Sequence, residues 1–487
     1  MQVIFYNITA RDKSEYWRMS RVPCNPCIER RMKLAAPNTD FSQGSVWKNI
    51  VRMSIPITLA QLINILYNIV DRMYIGHIPG AGALALTGLG LCLPVISIVM
   101  AFARLSGMGG GPLCSIERGK GDLAEAERIM GNSFTLLMIF AVFLTLLGEV
   151  FLRPILMAFG ASNDTIGYAM DYGRIYLAGN VFVLISLGMN NFINAQGFAR
   201  TGMVTTLVGA VLNIALDPVF IFVLNWGVKG AAAATVISQA VSALWVMQFL
   251  TGKRAQLRLR LGNLRPNAQR TGRILTLGFS GFVMAFTNSA VQVVCNSVLS
   301  SYGGDLYVGV MTVLSSIREV VSMPVQGLTG AAEPVLGFNY GAEKMQRVRQ
   351  GIRFISACAL VYSFLIWGMI RVIPGPLIRI FNNEDHLVQT AIPALGIYFA
   401  TFFMMALQFA GQSTFVSLGK SKQAVFFSIF RKVIIVVPLT ILLPKLSCFG
   451  VNGVFWAEAI SNVIGGISCY GTMYFTVYRP LGRNTEA

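Results

Sequence analysis

The chain contains 487 residues, of which 54% are hydrophobic and 12% are charged, and its mean hydropathy is +0.62. Soluble proteins carry about 25% charged residues, so this composition excludes an ordinary soluble domain. The net charge of +18 does not indicate nucleic-acid binding, because the basic residues lie in the tails and in short loops between apolar runs, where they determine membrane topology.

Twelve apolar segments follow one another along the chain, and each is long enough to cross a bilayer as a helix, which requires about 20 residues. Because backbone polar groups must be satisfied within the bilayer, this pattern predicts an all-α polytopic membrane protein. The first six predicted spans lie near 50–75, 84–108, 131–153, 170–192, 203–225 and 230–250, and the second six near 274–300, 307–333, 352–373, 391–413, 424–444 and 452–476.

The distribution of basic residues predicts the orientation of the chain. Most of the 39 Lys and Arg fall on one side of the predicted spans, which predicts that both termini are cytoplasmic. The predicted parts are a disordered cytoplasmic tail at 1–44, a six-helix bundle at 45–250, a basic, solvated cytoplasmic linker at 251–273, a second six-helix bundle at 274–478, and a cytoplasmic tail at 479–487.

The N-terminal tail lacks the apolar core of a signal peptide. Met32 is an alternative start of translation. Cys24 and Cys27 form one CxxC pair, which we interpret as incidental because a zinc site requires four ligands and no second pair lies nearby.

The two halves of the chain repeat each other in sequence. The stretch GVKGAAAATVIS at 227–238 recurs as GVNGVFWAEAIS at 450–461. Further matches follow in the same order: Asp71 with Asn296, and Tyr176 with Tyr398. Because each half has six spans, both enter the membrane in the same sense, which predicts two pseudo-symmetric bundles around a central cavity.

Asp217, in the apolar stretch LNIALDPVFI, is the residue on which the functional interpretation depends. A carboxylate at this depth costs about 2.5–3.5 kcal/mol on insertion scales and usually marks a transport pathway. Asn213 shares its helix face, Asp71 is the other strong acid, and Asp71, Asp217 and Thr235 each lie about 24–28 Å along their helices at about 1.5 Å per residue. These four residues predict one site for Na⁺ or a proton, since two carboxylates in a dry pocket cannot both ionise at low cost. Packing alone for Asp217, and pairing of Arg72 with Asp71, are the alternatives.

The motifs YNIVDRMYIG, LNIALDP, GVKGAAAATVIS and FNYGA, together with the repeat, resemble the multidrug and toxic compound extrusion (MATE) family, and most closely its DinF- and MepA-like bacterial branch. The resemblance covers about Val46 to Tyr478. It implies a V-shaped pair of six-helix bundles and export of cationic, often aromatic drugs, driven by inward H⁺ or Na⁺. It also implies the same cation site: Asp71, Asn213, Asp217 and Thr235.

The resemblance further implies that Asn64, Tyr67 and Asn190 line the substrate cavity and that Pro56 is a hinge in the first span. Glu333, before Pro334, is expected either to contact a cationic drug or to cap a broken helix. Spans 7 and 10 lack the acids that some relatives carry, so no cation site is expected in the second bundle. Its buried charged residues are expected to be structural: Arg318, Glu319 and Glu458.

The predicted function is secondary active export of organic cations across the inner (plasma) membrane by a monomer, with H⁺ or Na⁺ as coupling ion, no other metal and no cofactor. An enzyme is disfavoured because His77 and His386 lie near no nucleophile or metal cluster, and a channel because no filter is evident. The alternative that stays open is a flippase for lipid-linked saccharides of the same superfamily, which we expect to need a strongly basic cavity.

Overall fold

The computed structural model describes residues 39–381 and 384–483, and every regular element in those ranges is helical. Residues 1–38 and 484–487 lie outside the described part, so the predicted N-terminal tail and its CxxC pair are not tested. The helices of the first half are α1 (Val46–Gly76), α2 (Gly82–Gly119), α3 (Leu123–Ala158), α4 (Ile166–Ala178), α5 (Asn180–Ala195), α6 (Ala199–Pro218, continued by a π-turn at Val219–Val223) and α7 (Gly227–Thr251).

The second half begins with a long helical segment, Ala268–Gly341, which Gly304 divides because its backbone is not helical. The helices of this half are α8 (Ala268–Gly304), α9 (Leu306–Gly341), α10 (Met345–Val372), α11 (Pro374–Arg379), α12 (Asp385–Tyr398), α13 (Phe402–Ser417), α14 (Ser421–Ile429), α15 (Val437–Leu442), α16 (Gly453–Met473) and α17 (Arg479–Arg483). A π-turn at Phe430–Val436 joins α14 to α15, and a second at Tyr474–Tyr478 follows α16.

Each predicted span corresponds either to one of these helices or to two consecutive helices joined by a bend or a π-turn. Within the described residues, nine helical segments are long and apolar enough to cross a membrane, and two bent pairs add two more spans. The bent pairs are α4 with α5, at 55°, and α12 with α13, at 51°. The remaining segment is α16, which is 21 residues long but carries Glu458 and Asn462. The all-α, multi-pass fold is therefore confirmed.

Local sequence explains where individual helices end. At the end of α2, Gly121 adopts a φ of +85°, which few other residues tolerate, and this turns the chain. Asp122 then caps α3 by accepting a hydrogen bond from the Glu125 backbone N–H over 2.9 Å. Between α4 and α5 the chain bends at Gly179, where a Cβ atom would overlap the side chain of Val236.

The two halves meet where α2 packs along α8 and α9, and glycine makes this approach possible. A Cβ on Gly119 would overlap the carbonyl oxygen of Phe338, and one on Gly341 would overlap that of Ile116. A second reciprocal pair, Gly109 and Gly278, makes the same kind of contact further along α2. The backbones therefore touch directly, as small residues allow at helix interfaces in membranes.

The first turns of α1 and of α8 each pack against the opposite half. Val46, Ile50 and Met53 of α1 belong to an apolar cluster formed mostly by α9, α10, α13, α14 and α16. In the same way, Ile274 and Leu277 of α8 belong to the apolar core of the first half. The sequence boundaries of the two bundles stay a prediction, but the first turns of these two helices are shared between the halves.

The basic linker is solvated only in part. Its Leu257 is fully buried, and the Asn132 side chain binds the linker backbone at Arg265 over 3.0 Å. At the start of α8, Arg270 donates two 2.8 Å hydrogen bonds to Glu125. Most of the linker is exposed, as predicted, but its apolar residues and three of its arginines anchor it to α2 and α3, which the count of basic residues did not predict.

A short segment before α1 closes one face of the protein, which we call the terminal face: residues 39–48 with 338–347. Phe41 is fully buried there. The Arg118 guanidinium of the first half lies 5.2 Å from the Phe41 ring and 5.0 Å from the Phe338 ring of the second half. Arg347 donates to the carbonyl oxygens of Phe41 and Gly44 over 3.1 and 2.7 Å. The segment thus holds both halves together at this face.

Replacing Phe41 with alanine is expected to loosen the terminal face, because emptying a buried aromatic site costs about 3–5 kcal/mol. The readout is thiol labelling in a cysteine-free background that carries Ser115→Cys, since Ser115 is buried against Gly337 between the halves. We expect Phe41→Ala to accelerate labelling at least about tenfold. Trp47→Ala is the matched control, since Trp47 is 49% exposed, and equal rates in both variants would contradict this role of Phe41.

Candidate cation site and central cavity

The predicted cation site is assembled around Asn213. Its side-chain amide donates a 3.1 Å hydrogen bond to Asp217 Oδ1 and lies 3.4 Å from Thr235 Oγ1. Asn213 and Asp217 lie one turn apart on α6, and Thr235 lies on α7, which packs against α6. The exposed fractions of Asn213, Asp217 and Thr235 are 2%, 0% and 8%. The i, i+4 spacing read from the sequence thus becomes a direct contact.

Asp71, on α1, completes this group. Its carboxyl group neighbours the Asp217 carboxyl group closely enough for the two to interact, and it is 6% exposed. Two carboxylates have only acceptor oxygens, so a hydrogen bond between them requires a proton on one of the two. Asp71 Oδ1 and Asp217 Oδ2 are buried without a donor among the described residues. This arrangement leaves oxygen atoms free to bind a proton or a small cation.

Arg72 forms no ion pair with the site. Its side chain is exposed and forms no ion pair with any carboxylate in the described part of the chain. Arg72 follows Asp71 directly, and adjacent residues point about 100° apart on a helix. Arg72 therefore acts on Asp71 only through space, without a direct contact between the two side chains.

A cavity of about 400 Å³ lies between the two halves and reaches the cation site at Asn213 and Thr235. All of the predicted cavity residues line it: Asn64, Tyr67, Asn190 and Glu333. Glu333 lies within the continuous helix α9, so the interpretation that it caps a broken helix was wrong. Arg104 and Glu333 are the charged side chains among the described lining residues, and most others are amides, small residues and methionines.

Several residues near the site were not identified from the sequence. The Tyr172 side chain on α4 neighbours Thr235, and Gln239 on α7 neighbours Tyr67. Arg104 of α2 lines the cavity as well. An isolated arginine in an apolar run is a signal that could have identified Arg104, whereas the contacts of Tyr172 and Gln239 depend on how α4 and α7 pack.

Two irregular features lie on the helices of the site. Pro56 lies inside α1, which continues unbroken from Val46 to Gly76, so its role as a hinge stays a prediction. Pro218 follows Asp217 directly and lacks a backbone donor, and the π-turn Val219–Val223 begins at the next residue. Such π-turns occur often at functional sites, and this one leaves the backbone beside Asp217 less regular.

The donor set consists of two carboxyl groups, one amide and one hydroxyl, all of which can present oxygen. Oxygen ligands suit hard cations such as Na⁺ and also the proton. Among the described residues, no group of three or more His, Cys, Asp or Glu side chains could hold a transition metal. The geometry therefore supports binding of H⁺ or Na⁺ at the edge of the cavity.

Comparison with known proteins places the chain among membrane exporters. A family model described as MatE matches residues 56–219 and 281–442, one segment in each half. The multidrug export protein MepA of Staphylococcus haemolyticus (strain JCSC1435) is 24% identical, over 91% of this chain and 96% of its own length. MepA of Staphylococcus aureus (strain NCTC 8325 / PS 47) is 23% identical, over 89% of this chain and 95% of its own length.

Solved structures with the same fold agree with this match. A multidrug resistance MATE family transporter of the MOP superfamily, in its outward-facing conformation, has a TM-score of 0.85 at 23% identity, with 92% of this chain and 99% of that chain covered. A MATE structure in the bent conformation has a TM-score of 0.86 at 24% identity, with 91% and 98% covered. These proteins therefore share the fold of this chain.

The contact between the two acids predicts a protonated carboxyl group that a hydrophobic carbodiimide can modify. In the purified protein, dicyclohexylcarbodiimide is expected to label Asp71 or Asp217, as read by peptide mass spectrometry, because two neighbouring buried carboxyl groups cannot both ionise at low cost. Asp171 is the internal control, since its side chain is 46% exposed and lies 3.5 Å from Lys229. Labelling of neither Asp71 nor Asp217 in the folded protein would contradict the protonated carboxyl group.

Proposed function

Because the chain belongs to the MatE family, we propose that it exports cationic, often aromatic organic compounds by antiport with H⁺ or Na⁺. The relatives it matches are named multidrug export proteins. The single observation that carries the proposal is the buried group in which Asn213 bridges Asp217 and Thr235 at the edge of the central cavity, with Asp71 buried beside it. The residues named in the coupling step are these two acids, Asn213 and Thr235.

The mechanism follows from the cost of charge in a poorly hydrated pocket. When both carboxyl groups lose their protons, the pair carries two negative charges that no described arginine or lysine neutralises by direct contact. A proton or Na⁺ relieves this repulsion, and so does the charged nitrogen of a cargo cation in the adjoining cavity. Binding of the coupling ion therefore opposes binding of the cargo, and this competition is the exchange reaction.

The membrane potential supplies energy for the exchange. One elementary charge that enters down 100 mV releases about 2.3 kcal/mol. This energy supports roughly fifty-fold accumulation of a neutral solute, at about 1.4 kcal/mol per factor of ten. When a monovalent cargo leaves as one ion enters, the voltage does no net work, and the chemical gradient of the ion alone drives export.

The lining of the cavity supports a broad range of cargo. Four methionines line it, and methionine side chains adapt to ligands of different shape: Met100, Met108, Met203 and Met284. Amide groups supply hydrogen bonds without fixing one charge pattern, and Glu333 offers a carboxylate away from the cation site. These features favour flat, apolar cations over one specific metabolite.

The alternative is a flippase for lipid-linked saccharides. Such a protein should offer several cationic side chains to a pyrophosphate. Here Arg104 is the one cationic side chain among the described lining residues, and the lining also contains the acidic Glu333. The cavity chemistry therefore favours the exporter. We further propose that the protein works as a monomer in the plasma membrane with both termini cytoplasmic, since most of its basic residues lie on that side.

The proposal predicts that Asp217→Asn abolishes efflux of a fluorescent organic cation, because the variant cannot take up the coupling ion. Efflux is measured in everted vesicles with Na⁺ and H⁺ gradients imposed separately, which also identifies the ion. Asp171→Asn is the control, because it removes a carboxylate of the same type whose ion pair with Lys229 is half-exposed. Efflux by Asp217→Asn at the wild-type rate would overturn the proposal. Translocation of a polyprenyl-pyrophosphate sugar without cation efflux would favour the flippase.

A further inference from the structure

The second half contains a group of charged side chains that the proposed exchange does not use. We call Arg318, Arg431, Lys432 and Glu458 the basic cluster. Its three cations converge on one atom: Arg318 Nη1 donates to Glu458 Oε1 over 2.6 Å, Lys432 Nζ donates over 3.3 Å, and Arg431 Nη2 donates to the same oxygen. The cluster joins α9, the π-turn Phe430–Val436 and α16.

The basic cluster is buried and carries more positive than negative charge. The side chains of Arg431, Lys432 and Glu458 are 6%, 8% and 6% exposed, whereas Arg318 is 24% exposed. One carboxylate faces three cations. The neighbouring Glu319 is exposed and acts on Arg318 through space, but it forms no ion pair with the cluster within the described residues. Burying excess charge in an apolar interior is costly, so the cluster requires a counter-charge.

Two buried donors of the cluster have no acceptor. Arg431 Nε and the Tyr398 hydroxyl form no hydrogen bond with any described residue, and Tyr398 is 2% exposed. The Tyr398 ring lies 5.5 Å from the Arg318 guanidinium, so its hydroxyl belongs to the same group of side chains. A guanidinium N–H can only donate, and a buried donor without an acceptor carries an energetic penalty. Both donors indicate that an acceptor is missing.

The sequence repeat relates this cluster to the cation site. Glu458 holds the position in 450–461 that Thr235 holds in 227–238, and Tyr398 matches Tyr176. Thr235 is a member of the cation site, and Tyr176 stacks on Tyr172 beside it, with ring centroids 6.2 Å apart. The second half thus has a polar group at the repeat-related position, but its charge is positive where the first half is negative.

From the excess charge, the two unpaired donors and the repeat-related position, we propose that the basic cluster binds a small anion, either a halide or a small carboxylate. Arg431, Lys432 and the Tyr398 hydroxyl are the donors that hold it, and Arg318 is the most exposed member of the cluster. Glu458 competes with the anion for the same cations. The proposal adds a binding role for Arg318 and Glu458 to the structural role that the sequence predicts.

The test compares the melting temperature of the detergent-purified protein in potassium salts of different anions, so that the cation stays constant. We expect chloride and bromide, or acetate, to raise the melting temperature by about 2 °C or more over gluconate, because a ligand that binds the native state stabilises it by mass action. Halide and acetate arms distinguish the two classes of anion. The same melting temperature in all four salts would overturn the proposal.

Variants separate binding from a structural role of the cluster. Tyr398→Phe removes one hydroxyl and keeps the ring, and Lys432→Met keeps the length of the side chain, so both are expected to shrink the anion-dependent shift. Lys445→Met, which removes an exposed lysine outside the cluster, is expected to preserve it. A full shift in both Tyr398→Phe and Lys432→Met would contradict the assigned donors.

Glu458→Gln gives the opposite sign and is therefore the sharpest variant. Removing the competing carboxylate charge is expected to enlarge the anion-dependent shift, whereas a self-contained ion-pair network would lose stability equally in every salt. If Glu458→Gln does not fold in gluconate, recovery of folded protein in chloride or acetate supports the site, and failure in all salts contradicts it. Asp217→Asn should keep the full shift, so failure of the proposed exchange would leave this result unchanged.

Discussion

The proposed function depends on two neighbouring carboxyl groups that are buried in a poorly hydrated part of the protein. Asp71 and Asp217 lie close together on two different helices at the edge of a cavity, and no basic side chain among the described residues forms an ion pair with either of them. Most proteins avoid this arrangement because repulsion and desolvation act together. Here the repulsion between the two carboxylates favours cation binding, since any small cation that enters lowers the energy of the site. Asn213 keeps the geometry fixed by bridging Asp217 and Thr235.

The two halves use the same scaffold with opposite charge. In the first half, acids on α1 and α6 face an amide and a hydroxyl, and in the second half Arg431 and Lys432 converge on Glu458. A repeat in sequence therefore preserves the fold and the location of a polar group but not its sign. Both polar groups adjoin a helix with a π-turn, Val219–Val223 in one half and Phe430–Val436 in the other. Local loss of helical regularity thus accompanies buried polar side chains in each half.

Hydropathy was sufficient to predict the spans, because a bilayer imposes both length and apolar character. It underestimated the helices at the terminal face, where α2 continues to Gly119 and α9 to Gly341, since these polar ends are stabilised by packing of one helix on another. That Asp71 and Asp217 share one site was predicted from their similar depth, which is a local property of each helix. The position of Tyr172 beside the site and the attachment of the linker to Glu125 could not be predicted, because both depend on tertiary packing.

The exchange of first turns between the halves has a mechanical consequence. Val46, Ile50 and Met53 tie the start of α1 to the second half, while the rest of α1 carries Asp71 to the first. The start of α8 is tied to the first half in the same way. Because α1 and α8 each contact both halves, a movement of one half relative to the other must bend these helices. Pro56 lies one turn beyond Met53, where this bending would concentrate. A movement of the second half would then twist α1 and change the position of Asp71 relative to Asp217.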